Sequence, residues 1–112
     1  MIAIRDLQIG DFINTENNGV VQITVLSWRA VGYEGGASTP EHCSYIPLTE
    51  EILAKNGFVK TWNGDWQLKE YSTIIISKDY YVEIFERSIK IDYVHELQHL
   101  LWQAGVQKEI EL

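Results

Sequence analysis

A single cysteine, Cys43, is the whole thiol content of this 112-residue chain. No internal disulfide can form, and a zinc site built on cysteines is excluded. Cys43 follows His42, but neighbours in an extended segment point to opposite sides, so no nucleophile–base pair is expected there. Basic residues are also scarce, with Lys+Arg 9 against Asp+Glu 16 and a formal net charge of -7. That balance disfavours a surface that tracks nucleic-acid phosphates, so no direct nucleic-acid partner is expected. No stretch nears the ~18 apolar residues of a membrane span. The longest apolar runs, residues 20–28 and 74–76, are strand-sized or smaller. Arg5, Asp6 and Asp11 interrupt the first residues, which leaves neither a basic n-region nor an apolar h-region. Repeats, low-complexity tracts and linkers are missing too. The expectation is a cytosolic protein with no membrane partner.

What is present points to a folded domain. The chain is 46% hydrophobic and 12% aromatic, too apolar for disorder. A chain of 12.9 kDa buries roughly two-thirds of its unfolded surface. One domain over residues 1–112, holding one apolar core without a metal or disulfide staple, is the expectation.

Residues 7–28 read as β. Asn17-Asn18-Gly19 is a hairpin turn, and residues 20–28 (VVQITVLSW) should form a central, largely buried strand. Small SH3-like barrels begin in a similar way, an analogy of shape alone. Residues 32–40 (GYEGGASTP) read as a plain hairpin or connecting loop, since neither a Lys nor a GxGxxG pattern follows them. A small-ligand or nucleotide site under this loop is one alternative reading. A short helix follows, with Thr49 as N-cap, Glu50 and Glu51 in its first turn and Gly57 at its C′ position. Leu48 and Leu53 are placed for a hydrophobic staple. Residues 58–87 read as an antiparallel meander. Asn63-Gly64 is a type I′ signal, with Trp62 and Trp66 packing across its strands. Tyr80 to Phe85 should form a strand with Val82 and Ile84 on its dry face. Arg87-Ser88 reads as a turn and residues 89–91 as a short strand. The last helix spans residues 93–104, with Asp92 as N-cap and Gly105 as its stop. The fold class is therefore α+β, with this helix packed on the sheet.

That helix contains His95-Glu96-Leu97-Gln98-His99, a literal H-E-x-x-H. Histidines one turn apart can share a zinc ion, and the glutamate can act as base on zinc-bound water. Three observations oppose a zinc hydrolase built on His95, His99 and Glu96. Trp102 and Gly105 stand where the extended pattern wants Gly and His. At ~100° per residue, Tyr93, Val94, Leu97, Leu100, Leu101 and Ala104 share one side, which the core should claim. His95, Gln98, His99 and Trp102 share the other and should face solvent. Little chain remains to build a substrate cleft. The expectation is therefore no catalytic residue, no metal and no cofactor. Trp102, with His95 and His99, becomes a candidate contact surface for a partner or a second copy. The alternative for Trp102 is cover by the tail through Val106 or Ile110.

Residues 46–53 (IPLTEEIL) with Gly57-Phe58, residues 91–98 (IDYVHELQ) with Gly105, and residues 7–11 (LQIGD) occur together in order. In this the chain resembles a set of small uncharacterised proteins common in phage and prophage regions of Bacteroides-type bacteria. The final helix of that set reads V-H-x-L-Q-N. His95, Leu97 and Gln98 match it, and His99 departs from it. The resemblance implies a phage-associated protein of the bacterial host cytosol and no assigned activity. The functional expectation is a non-enzymatic module that binds a host or phage protein.

Overall fold

Two β-sheets of five strands each frame the computed structural model, which describes residues 2–84 and 87–112. The first holds β1 (Phe12–Thr15), β2 (Gly19–Leu26), β3 (Val31–Tyr33), β4 (Gly36–Ser38) and β5 (Cys43–Ser44), in the order β4-β3-β2-β1-β5. Helix α1 (Glu50–Lys55) leads into the second sheet. There β6 (Phe58–Lys60), β7 (Trp66–Leu68), β8 (Tyr71–Ile76), β9 (Tyr81–Ile84) and β10 (Arg87–Lys90) follow one another as a meander. Helix α2 (Val94–Gln103) closes the order of elements. All the pairings are antiparallel, and the α+β class holds.

Local chemistry accounts for α1. Thr49 Oγ1 accepts the Ile52 amide at 3.3 Å, and Gly57 takes the left-handed φ of +88° that ends the helix. Leu48 and Leu53 are both buried beneath it.

Several expectations need correction. The strand at residues 19–26 is central, but Ile23 is its one fully buried side chain, while Val20 and Val25 lie in water. A sheet covered on one face buries alternate residues, and a bulge between Ile23 and Val25 shifts the register. The turn at Asn63-Gly64 is not type I′, because Gly64 alone has positive φ. Instead the Thr61 amide reaches Asp65 O at 2.7 Å, and Asn63 Oδ1 accepts the Asp65 amide. Trp62 and Trp66 do not pack together: Trp66 is buried and Trp62 is 97% exposed. Arg87 and Ser88 belong to strand β10 rather than to a turn. Phe85, expected to end a strand, lies outside the described residues.

Among the described residues, the interior has two buried clusters where one was expected. Ile2, Leu7, Ile13, Ile23, Val31 and Cys43 pack under the first sheet. The larger cluster joins the second sheet to α1, through Leu53, and to α2, through Val94, Leu97, Leu100 and Leu101. Each such leucine contributes about 1.5–3 kcal/mol by leaving water. The residues after α2 also belong to this cluster, since Val106 and Ile110 are both buried.

Candidate functional site

The leucine side of α2 lies where the sequence puts it, but the opposite side is not in water. His95 is 5% exposed and Gln98 3%. The reason is that α2 is covered twice. Its leucines meet the second sheet, and its rings meet the N-terminal segment. Tyr45 stacks on His95 at 4.5 Å between centroids, and His95 meets His99 edge-on at 5.5 Å. His99 stacks in turn on Trp102 at 6.0 Å.

Asp11 fastens this face. Its carboxylate is fully buried and lies 2.7 and 2.9 Å from His99 Nε2, across 88 residues of chain. The carboxylate also accepts the Gln8 amide at 2.7 Å. A carboxylate can only accept, so Nε2 carries the proton of the contact. Gly10, at φ +98°, lies against the Trp102 ring, where an added Cβ would stand 3.4 Å from Cη2. Trp102 is thus half-buried by its own N-terminal segment rather than by the tail. The outward contact surface expected of His95, His99 and Trp102 is therefore largely interior.

Gln98 holds the tail instead. Its Nε2 donates to Lys108 O and its Oε1 accepts the Ile110 amide, both at 2.7 Å. Asn56 grips the next residue, with its side chain donating to Glu111 O and accepting the Glu111 amide.

Each member of the H-E-x-x-H motif has a structural partner or place. Glu96 Oε1 accepts the amides of Asp92 and Tyr93 at 3.0 and 3.1 Å, which closes the first turn of α2. The N-cap is Tyr93, one residue later than expected. His99 gives Nε2 to Asp11. Among the described residues, no group of three or more His, Cys, Asp or Glu side chains is arranged to hold a metal ion.

Between the N-terminal segment and α2 lies a cleft of about 530 Å³. Arg5 and Gln8 stand on one wall, and Tyr93, His95 and Glu96 on the other, with Tyr45 between. Tyr45 Oη accepts the Ala3 amide at 2.9 Å and contacts Asp6 at 3.3 Å, which ties down that wall. Burial pushes the His95 imidazole pKa below its ordinary value, partly opposed by the charges of Asp11 and Glu96. His95 Nδ1 is sealed from solvent and has no hydrogen-bond partner among the described residues.

The other candidates are spent on structure. Cys43 is buried, its Sγ contacts Thr39 O at 3.4 Å, and burial raises its thiol pKa. His42 turns away to Glu16 at 2.8 Å. Residues 32–40 form the β3–β4 hairpin and a 3-10 turn (Pro40–His42). Tyr33 Oη there is engaged by Asn18 and Ser38. No helix among the described residues is long and apolar enough to cross a membrane. In comparisons with protein-family models, curated proteins and solved structures, nothing matches this chain.

Proposed function

We propose that this chain is a phage-derived, non-enzymatic module of the host cytosol that binds another protein through the outer face of its second sheet. The resemblance of residues 46–53 and 91–98 to phage-region proteins supports the origin. The binding reading rests on one observation, two apolar side chains exposed to water on one row of this face. Val59 pairs with Gln67 and Gln67 with Ile75, so these three residues share the outer face. Val59 is 55% exposed and Ile75 43%. Beside them runs a groove of about 600 Å³ whose lining includes Ile75, Tyr81 and Glu83. Trp62, at the tip of the β6–β7 hairpin, adds a bare indole, the side chain most often dominant at interfaces.

Affinity capture from phage-infected cells tests this reading, with the parent chain and an Ile75→Lys variant run side by side. A partner retained by the parent and lost by the variant, at unchanged thermal midpoint, supports it. Equal recovery of every retained protein by both chains refutes the outer face as the contact.

A further inference from the structure

We propose that the groove on the outer face of the second sheet takes an arginine side chain of the protein partner. This assignment rests on the outer face being the contact surface, and it names the chemistry which that face recognises.

The lining of the groove is one-sided in its chemistry. Thr73, Ile75 and Ser77 alternate along the chain with the buried Ile74 and Ile76, and Tyr81 and Glu83 flank the buried Val82, so all five lie on the outer face. Glu83 pairs in register with Ser88, and Asp65 completes the lining. Asp65 and Glu83 bring two carboxylates, and Thr73, Ser77 and Ser88 bring three hydroxyls, so acceptor oxygens dominate. Among the described residues, no lysine, arginine or histidine lines the groove. The Asp65 carboxylate is oriented by the Lys78 amide at 3.3 Å and the Asn63 side chain at 3.2 Å, which leaves lone pairs to spare. The Glu83 carboxylate has no hydrogen-bond or ion-pair partner among the described residues.

Such a lining calls for a cation with several donors. The Tyr81 ring, 43% exposed, supplies a π face. That ring already draws one cation: Lys90 Nζ lies 5.6 Å from its centroid, and Asp92 meets the Lys90 charge at 3.0 Å. A guanidinium can stack on a phenol ring while its edge donates to carboxylates and hydroxyls on either side; an ammonium is a point charge and does less. The methylene stem of an arginine can lie on the exposed Ile75. A protein side chain is favoured over a free polyamine, because Val59 continues the row from Ile75 and a free cation would leave it in water. The net charge of -7 also speeds the encounter with a basic partner.

Titration of the full chain with a capped Leu-Arg-Leu peptide, followed by backbone amide shifts in nuclear magnetic resonance spectra, tests the groove. A dissociation constant on the order of 1 mM is expected for so small a probe, with the shifts centred on Thr73, Ser77, Tyr81 and Glu83. Citrulline in place of arginine keeps the shape and removes the charge, and should weaken binding at least about fivefold. The lysine peptide should bind more weakly than the arginine peptide, and added salt should weaken both. Glu83→Gln, at an exposed residue, should weaken binding several-fold at an unchanged thermal midpoint. No shift at about 10 mM peptide, roughly tenfold above the expected constant, would overturn the proposal. Equal affinity for the arginine and citrulline peptides would do the same, as would parent-like binding by Glu83→Gln. Tighter binding of spermidine than of the peptide would overturn the assignment to a protein side chain. These failures are separable from failure of the outer face as the contact, which the Ile75→Lys capture decides and the peptide does not.

Discussion

Replacing Gln98 by alanine should destabilise this protein about as much as deleting a core leucine. On one-sided helix reasoning, Gln98 faces water and its loss costs at most ~0.5 kcal/mol. The structure gives it two hydrogen bonds of 2.7 Å, to Lys108 O and from the Ile110 amide, at 3% exposure. Alanine leaves a backbone carbonyl and an amide unpaired, at about 1–3 kcal/mol each if both stay buried. The tail can relieve that cost by swinging into water, but Ile110 is then uncovered, a loss of about 1.5–3 kcal/mol. The cheaper route sets the cost, about 1.5–3 kcal/mol, which overlaps the ~2–5 kcal/mol expected for Leu97→Ala. For a chain of this size the thermal midpoint should fall on the order of 10 °C. Urea unfolding, followed by tryptophan fluorescence and by far-ultraviolet circular dichroism, gives the free energy directly. Ile110→Ala provides the cross-check. If Gln98 acts by seating the tail, the two substitutions should be strongly sub-additive. A Gln98→Ala protein within ~0.5 kcal/mol of the parent would refute the clamp.

Three further outcomes are expected. Because the folded pKa of His95 is depressed by burial, the unfolded chain binds more protons, so this residue's contribution is complete above about pH 6.5 and shrinks as pH falls. The loss of stability between pH 7.5 and 5.5 should therefore be smaller in His95→Phe, and an unchanged slope in urea midpoints would contradict the assignment. Glu96→Ala should cost about 1 kcal/mol by thermal melting and Glu96→Gln less, since glutamine keeps an acceptor for the first-turn amides; a Glu96→Ala protein as stable as the parent would show that the cap is idle. Cys43, buried and with a raised thiol pKa, should react with a disulfide reagent orders of magnitude more slowly in the native chain than in urea; equal rates would place it at the surface.

Features whose chemistry is local were legible in the sequence. Thr49, Glu50, Glu51 and Gly57 are neighbours, and their capping roles follow from residue type and order. The meander follows from short β-branched and aromatic runs between turn residues. The leucine side of α2 follows from helical spacing. The ring side of α2 was not legible, because its partners are distant in the chain. Asp11 is 88 residues from His99, and nothing around the Gly10-Asp11 turn names its mate. Helical-wheel reasoning assigns a broad wet side to every amphipathic helix, and α2 keeps only a narrow one, with Glu96, His99 and Trp102 half-buried and Gln103 exposed. A signal was nevertheless there. Tyr93, His95, His99 and Trp102 are too many rings for a solvated face, and Trp102 was already out of place on one. The tail was unreadable for a related reason, since its anchors are the side chains of Gln98 and Asn56 rather than any pattern of its own.

A helix covered on both sides also decides how the molecule can open. Amides deep in β1, near Ile13, and deep in β8, near Ile76, sit in different sheets over different apolar clusters. Yet α2 is held from both sides, with Leu97 and Leu101 inside the second cluster and His99 bound to Asp11 beside the first sheet. Detaching the first sheet strands the Asp11 carboxylate, and detaching the second uncovers the leucines, so neither partial opening is cheap. Under native conditions, hydrogen exchange at the two places should run through one shared global opening rather than two separate ones. A denaturant series should then bring both sets of amides onto a single isotherm.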